Sequence, residues 1–131
     1  MHFIQLKTEL NFIDTNLQSC KKKERALRSD IKVLTQIMKT KPEDKYYRLK
    51  TYMNDRYFLN KEMMESLNYA KAYLTSAQKK DFVYDSYIGR YNQLMRQFDG
   101  KSNDPDFINL YSELQSAYPV LFNPESYIET I

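Results

Sequence analysis

The side chains that most often perform catalysis are scarce in this sequence. Its 131 residues include one histidine, His2, and one cysteine, Cys20. A single histidine supplies neither a catalytic triad nor a metal site, and a single cysteine allows no disulfide within the chain. No glycine-rich phosphate loop, Cys-x-x-Cys pair or His-Glu-x-x-His motif occurs. The sequence therefore predicts a protein that is not an enzyme and has no cofactor, with Cys20 as a small buried hydrophobe.

Carboxylate pairs are the remaining candidates for a metal site. Asp81 and Asp85 share one helical face, as do Glu62 and Glu65. With no histidine beside them and no matching pair on another helix, such carboxylates are typical of a solvated face. The segment 99–104 offers oxygen ligands, but its glycine and lysine fall at the wrong places for a calcium loop. We expect no metal site.

Basic residues are concentrated in the middle of the chain. Residues 20–61 hold 13 lysines and arginines against five acidic residues, a net charge of +8. Residues 62–131 hold six basic and ten acidic residues, a net charge of −4. A basic stretch of this kind favours a negatively charged partner, either an acidic protein surface or a phosphate backbone.

The basic residues form two stripes when they are placed on helices, one along the first helix and one at the start of the second, where tyrosines accompany them. We expect these stripes to bind another protein with an acidic surface. The predicted site consists of Lys21, Arg25, Arg28, Lys32, Lys39, Lys41, Lys45, Tyr47, Arg48 and Tyr52, with Lys50 and Tyr57 close by.

Two alternatives to this site remain open. In the first, the charges only keep the helices soluble and pair with the acidic residues Glu24, Asp30, Glu43 and Asp55. In the second, the stripes of residues 21–56 bind nucleic acid without regard to sequence, because no recognition helix with side chains for base edges is evident.

The first forty residues carry the clearest structural pattern. Apolar residues recur at alternating spacings of four and three from Leu6 to Met38, and only Glu24 interrupts them. This heptad period is typical of helices that pack along their length. The apolar stripe is wider than a two-stranded coiled coil requires, which favours a bundle. We predict a first helix over residues 3–39.

A second helix, over residues 42–74, repeats the pattern. Thr40 is its predicted N-cap, and Pro42 falls in its first turn. The short connection makes the two helices an antiparallel hairpin. Two polar residues interrupt the second seam and favour one register. The seam comprises Tyr46, Leu49, Met53, Arg56, Asn60, Met63, Leu67, Ala70 and Leu74.

Three shorter helices are predicted after the hairpin, over residues 77–99, 105–118 and 124–130. Gly89 lies inside the first of them and indicates close backbone packing or a bend. The predicted fold is all-α, a single domain over residues 1–131 in which a long antiparallel hairpin carries the third helix and the short C-terminal helices as a bundle. The start signals are the Thr75–Gln78 capping box and the Asp104-Pro105 and Asn123-Pro124 pairs.

Helix lengths predict how far each element reaches. The first two helices are each about 50 Å long and the third is about 33 Å. The third helix should therefore stop short of the loop near Thr40, so that the hairpin tip, residues 30–54, projects from the bundle. Exposed apolar side chains at the tip would then favour a homo-oligomer. These side chains are Leu34, Ile37, Met38 and Leu49.

The partner class follows from these features. We expect an adaptor, an assembly chaperone or an inhibitor, and the lysine- and tyrosine-rich, glycine-poor composition favours a phage or mobile-element origin. No apolar stretch reaches the roughly 20 residues of a membrane helix, and no secretory signal pattern is present at the N-terminus. Because a single cysteine fits a reducing compartment, we expect a cytoplasmic protein, or one in the host cytoplasm, with no membrane contact.

Overall fold

The computed structural model describes residues 3–75, 81–99 and 104–118, and the predicted helix over 124–130 lies outside them. The described chain forms four helices and no strand, with α1 packed on α2 and α2 packed on α3. The predicted all-α bundle is therefore confirmed. The helices are α1 (Phe3–Thr40), α2 (Asp44–Leu74), α3 (Asp81–Asp99) and α4 (Pro105–Ala117).

The two predicted seams meet in the hairpin formed by α1 and α2. Every predicted seam position of α2 is buried, including the polar Arg56 and Asn60. Ile13, Leu27 and Leu34 of α1 are fully buried against the same core. Because the heptad period places all of these positions on one side of each helix, packing that side accounts for both elements.

The connection between α1 and α2 differs from the prediction. Thr40 is the last residue of α1 and donates its hydroxyl hydrogen to the Ile37 carbonyl at 3.0 Å, so it does not cap α2. The N-cap is Glu43, and α2 begins at Asp44. Pro42 disfavours helical geometry at the residue before it, which ends α1 and leaves residues 41–43 as the turn.

Helix α3 runs parallel to α1 and antiparallel to α2. The hydroxyl of Tyr84 donates to the Glu9 carboxylate, and that of Tyr91 donates to Asn16 Oδ1 at 2.8 Å. Both pairs are 75 residues apart in sequence, which shows that α1 and α3 advance in the same direction. At the other end of α3, Arg56 Nη1 donates to the Gln97 carbonyl at 2.6 Å.

Helix α4 continues along α2 toward the hairpin tip. Arg48 of α2 pairs with Asp104 and Asp106 of α4. Nearer the tip, Lys45 pairs with Glu113 at 3.3 Å. The apolar side of α4 is buried in the common core, where its members are Leu110, Tyr111 and Leu114.

The coverage by α4 corrects two predictions. The tip does not project as a bare hairpin, because α4 lies beside the start of α2, where Glu113 pairs with Lys45 and Leu110, Tyr111 and Leu114 join the common core. The apolar residues expected to be exposed there are buried within the chain, Leu34 and Leu49 completely and Ile37 and Met38 to 7% exposure. The prediction that these residues are exposed, on which the expected homo-oligomer rested, is therefore wrong.

The close packing predicted at Gly89 is wrong, and the predicted capping box at Thr75 falls partly outside the described residues. Gly89 is exposed on α3, and an added Cβ would meet nothing within 4 Å, so no close packing requires this glycine. Thr75 stands at the C-terminal end of α2, where its hydroxyl donates to the Lys71 and Ala72 carbonyls. Its predicted capping partner, Gln78, lies outside the described residues. Within the described ranges, no helix has the length and apolarity needed to cross a membrane.

Candidate protein-binding site

The predicted site residues lie on two different sides of the hairpin. Tyr52 of α2 contacts Phe107 of α4, with ring centroids 5.3 Å apart. Asn54, two residues further on, points about 200° round the helix. There it lines a groove against α1. The structure therefore divides the predicted residues into a set that faces α4 and a set that faces this groove.

The set that faces α4 already has partners within the chain. Arg48 lies 3.7 Å from the carboxylates of both Asp104 and Asp106, and its guanidinium stands 5.5 Å from the Phe107 ring centroid. Lys45 donates to Glu113, and this hydrogen bond raises the pKa of the lysine above its ordinary value. These residues, with Tyr52, form the docking surface of α4.

The second set lines a groove of about 640 Å³ between α1 and α2. Phe58 is 61% exposed there, an unusual position for a large apolar ring. Tyr57 meets Phe58 edge to face, with ring centroids 5.6 Å apart. The groove is lined by Arg28, Ser29, Ile31 and Lys32 of α1 and by Asn54, Tyr57 and Phe58 of α2.

The same side of the hairpin extends beyond the groove in both directions. The antiparallel register that sets Lys32 against Asn54 places Lys39 level with Tyr47 and Arg25 level with Lys61. The distance between these levels is about 21 Å, or four turns of helix. We call this surface the open face and define it as Arg25, Arg28, Lys32, Lys39, Tyr47, Lys50, Asn54, Tyr57, Phe58 and Lys61.

The ten residues that define the open face include six cations and no carboxylate, and carboxylates border them at Glu24 on α1 and at Glu65, one turn beyond Lys61 on α2. Among the described residues, Arg28 alone of the six forms an ion pair, with Glu24 at 3.6 Å. Lys61 stands 5.2 Å from the Tyr57 ring centroid, a cation–π contact that leaves the ammonium group accessible to a ligand. Beyond the open face, toward the chain ends of the hairpin, Lys71 and Asp14 bridge α2 and α1 at 2.7 Å.

Two predicted residues lie outside both sets. Lys21 shares a shallow depression of about 340 Å³ on α1 with Gln18, Glu24 and Arg25. Lys41 is exposed in the turn between α1 and α2. Neither lines the groove between α1 and α2, so the structure does not unite all ten predicted residues in one site.

The sequence prediction missed three residues of the open face, Asn54, Phe58 and Lys61. A signal was available, because Tyr47, Asn54 and Lys61 recur every seven residues and therefore share one side of α2. The seam pattern locates the buried side of α2, but it does not indicate which flank α3 and α4 will cover.

The arrangement is suited to binding. Cys20 is buried, and burial raises the pKa of its thiol, which disfavours the reactive thiolate. In the described part of the chain, no group of three or more histidine, cysteine, aspartate or glutamate side chains could hold a metal ion. The open face offers fixed positive charge, hydrogen-bond donors and apolar rings.

Comparison with known protein families, with curated proteins and with solved structures finds no match to this chain.

Proposed function

We propose that this chain is a non-enzymatic protein-interaction module that binds an acidic partner protein through the open face. The observation that carries the proposal is the coincidence, on one side of the hairpin, of six cations, of which only Arg28 forms an ion pair among the described residues, with the exposed Phe58 ring. A net charge of one sign steers a partner of opposite charge. Exposed aromatic rings supply the apolar contacts that give most of the affinity in protein interfaces.

The opposite flank of α2 supports the same reading. There the basic residues Lys45 and Arg48 are neutralised by carboxylates of α4. The open face has comparable charge but has no acidic element of the described chain against it. A charged face that only kept the helices soluble would be expected to mix both signs, as exposed helix surfaces usually do.

The size and shape of the chain fit an adaptor, an assembly chaperone or an inhibitor that works in the cytoplasm of a cell or of a phage host. Each of these roles needs a rigid surface, which the packed hairpin supplies. A single cysteine, buried at 1% exposure, fits a reducing compartment of that kind.

The test compares two double variants that remove the same charge. Arg28→Gln with Lys32→Gln removes two cations of the open face, and Lys22→Gln with Arg96→Gln removes two exposed cations elsewhere. We expect a partner isolated with the wild-type protein to bind the first variant about tenfold more weakly and the second unchanged. Equal binding to both variants would refute the open face as the site.

Nucleic-acid binding is the competing function, and the same variants distinguish it. Binding to a phosphate backbone releases counterions, so log K falls with log salt with a slope of about −0.9 per phosphate contact on duplex DNA. We expect only weak, sequence-independent duplex binding that disappears near physiological salt. Tight duplex binding at physiological salt, lost on substitution of Arg28 and Lys32, would replace the protein partner with nucleic acid.

A further inference from the structure

Helix α4 shows which ligand the basic flank of α2 accepts. Its carboxylates at Asp104, Asp106 and Glu113 reach Arg48 and Lys45. Its aromatic ring, Phe107, lies against Tyr52, with the two ring planes inclined by 30°. An acidic helix with one aromatic anchor therefore satisfies a surface of cations and tyrosine on this hairpin.

The open face repeats that chemistry on the other flank of α2. Arg28 and Lys32 take the place of Arg48 and Lys45 as cations at the edge of the groove. Tyr57 and Phe58 provide the aromatic surface that Tyr52 provides for α4. Because the residue types correspond, a ligand of the same type as α4 is the chemical complement of the open face.

The form of the ligand follows from the surface that receives it. Both walls of the groove are helices, whose backbone groups are hydrogen-bonded internally, so no strand edge is available to an extended peptide. A ligand that buries its own backbone against these walls must satisfy its own N–H and C=O groups, which a helix does. The open length of about 21 Å corresponds to about 14 helical residues, close to the size of α4.

The geometry points to an acidic amphipathic helix of the partner protein as the occupant of the open face, an inference that rests on the proposed function. The helix lies along the groove between α1 and α2 and completes a four-helix arrangement with the hairpin and the α3–α4 side. Its carboxylates, three or four residues apart, face Arg28, Lys32 and Lys61, and an apolar anchor between them packs on Tyr57 and Phe58.

The test uses two designed, dye-labelled peptides of about 16 residues. Both have the same sequence, with glutamates three and four residues apart and phenylalanine and leucine on the adjoining face. The second carries two D-amino acids in its middle, which break the helix without changing charge, composition or order. We expect the all-L peptide to bind the full chain about tenfold or more tightly than the D-containing peptide, because only the former is ready to dock as a helix.

Three variants locate the binding. Arg28→Gln with Lys32→Gln, and separately Phe58→Ser, should each weaken binding of the all-L peptide about tenfold, while Lys22→Gln with Arg96→Gln should not. Phe58 is exposed, so its replacement leaves the fold intact. Arg48→Gln should also have no effect. Loss of binding on Arg48→Gln alone would mean that the peptide replaces α4, which overturns the assignment to the open face.

The remaining outcomes separate this inference from the proposed function. Equal binding of the two peptides, lost on substitution of Arg28 and Lys32, overturns the helical ligand but keeps the acidic partner. Absence of binding by either peptide overturns the helix inference. If the wild-type chain then sediments as a dimer that the same substitutions dissociate, the occupant is a second copy. If it instead binds duplex DNA tightly at physiological salt, the proposed function fails as well.

Discussion

At the scale of single residues, Arg56 connects α2 to the end of α3. Its guanidinium donates to the Gln97 carbonyl in the last turn of α3, and its Nε donates to the Tyr52 hydroxyl at 3.0 Å. It also stands 5.5 Å from the Phe98 ring centroid. A cation on the free carbonyls of a helix end stabilises that end. Arg56 therefore stabilises the C-terminal end of α3.

Asn60, one turn further along α2, serves the register of the hairpin. Its side-chain amide donates to the Cys20 carbonyl of α1 at 2.8 Å, in a fully buried position. A shift of the two helices past each other would bury this amide without a partner, which costs about 1–3 kcal/mol. The polar break predicted to favour one register therefore has a contact suited to that role.

Gly89 offers a direct test of the structure at one residue. Glycine within a helix costs about 0.5–1 kcal/mol relative to alanine, and a Cβ at this position would meet nothing within 4 Å. Gly89→Ala should therefore raise the Tm by about 2–4 °C in a thermal unfolding experiment. A lower Tm would show that another part of the molecule packs closely against this side of α3.

Tyr84 predicts how stability changes at alkaline pH. Burial raises the pKa of its hydroxyl well above the ordinary value, and the hydrogen bond to Glu9 and the nearby charges act in the same direction. A folded-state pKa that is higher than the unfolded-state pKa of about 10 stabilises the protein below that pH. This contribution is lost as the pH rises above about 10 toward the folded-state pKa.

Urea unfolding at neutral pH and above pH ~10 measures this effect. The free energy of unfolding should fall between the two conditions, and the fall should be smaller in Tyr84→Phe, which has no proton to lose. Tyr47→Phe is the control, because Tyr47 is half exposed and removal of its hydroxyl group changes no buried contact. An identical fall in all three proteins would assign the alkaline loss to other groups.

At the scale of elements, α4 is held at its exposed edge by ion pairs and stacked rings and at its inner side by a small apolar contact. Arg48 joins its first turn to α2, and Asp104 caps the helix by accepting the Asp106 N–H at 2.9 Å. Exposed ion pairs contribute about 0–1 kcal/mol each and weaken with salt. We therefore expect α4 to open more readily than the long hairpin does.

Hydrogen exchange of the amides tests this expectation. Arg48→Gln should speed exchange in α4 about two- to fivefold and leave α1 and α2 unchanged, because it removes only edge contacts of α4. Added salt should produce a similar change in the wild-type protein. Lys22→Gln, which removes an exposed cation of α1, should leave α4 unaffected. Faster exchange throughout the chain would show that α4 and the hairpin open as one unit.

The elements divide into those the sequence could predict and those it could not. The seams of α1 and α2 were predictable because heptad spacing is local and each seam residue carries its own signal. The capped start of α4 at Asp104 was also predictable, and its side chain does bond to the Asp106 N–H.

The placement of α4 was not predictable in the same way. Nothing near Arg48 indicates that its carboxylate partners lie more than fifty residues later in the chain. The helix lengths predicted an uncovered tip, because α3 is too short to reach it. Nothing in the sequence indicated that α4 would lie beyond α3 along α2. The flank that remains open depends on this placement, so Phe58 and Lys61 were missed for the same reason.

At the scale of the whole molecule, charge is distributed along the chain in a way that the fold uses. The acidic C-terminal part supplies the carboxylates of α4, and the basic middle supplies both flanks of α2. One flank is neutralised from within the described chain, whereas on the open face, which α1 and α2 form together, only Arg28 of the six cations is ion-paired within the described residues. An acidic partner would pair with the cations of the open face in the way that the carboxylates of α4 pair with the cations of the opposite flank.

We expect the packing of α4 on the common core to control self-association of the whole molecule. Leu110 and Leu114 are buried, and aspartates in their place could not enter the core without a large desolvation cost. Leu110→Asp with Leu114→Asp should therefore release α4 and uncover the apolar residues near Leu34 and Leu49. Exposed apolar surface favours association, so this variant should form larger species as its concentration rises.

Sedimentation velocity over a range of concentrations measures the association. The control is Ser112→Asp with Gln115→Asp, which adds the same two charges to exposed positions of α4 and should sediment like the wild type. If the Leu110 and Leu114 variant also sediments like the wild type with unchanged helical content, the seam must stay covered without α4. In that case the burial of Leu34 and Leu49 would have to come from the packing of α1 against α2 alone.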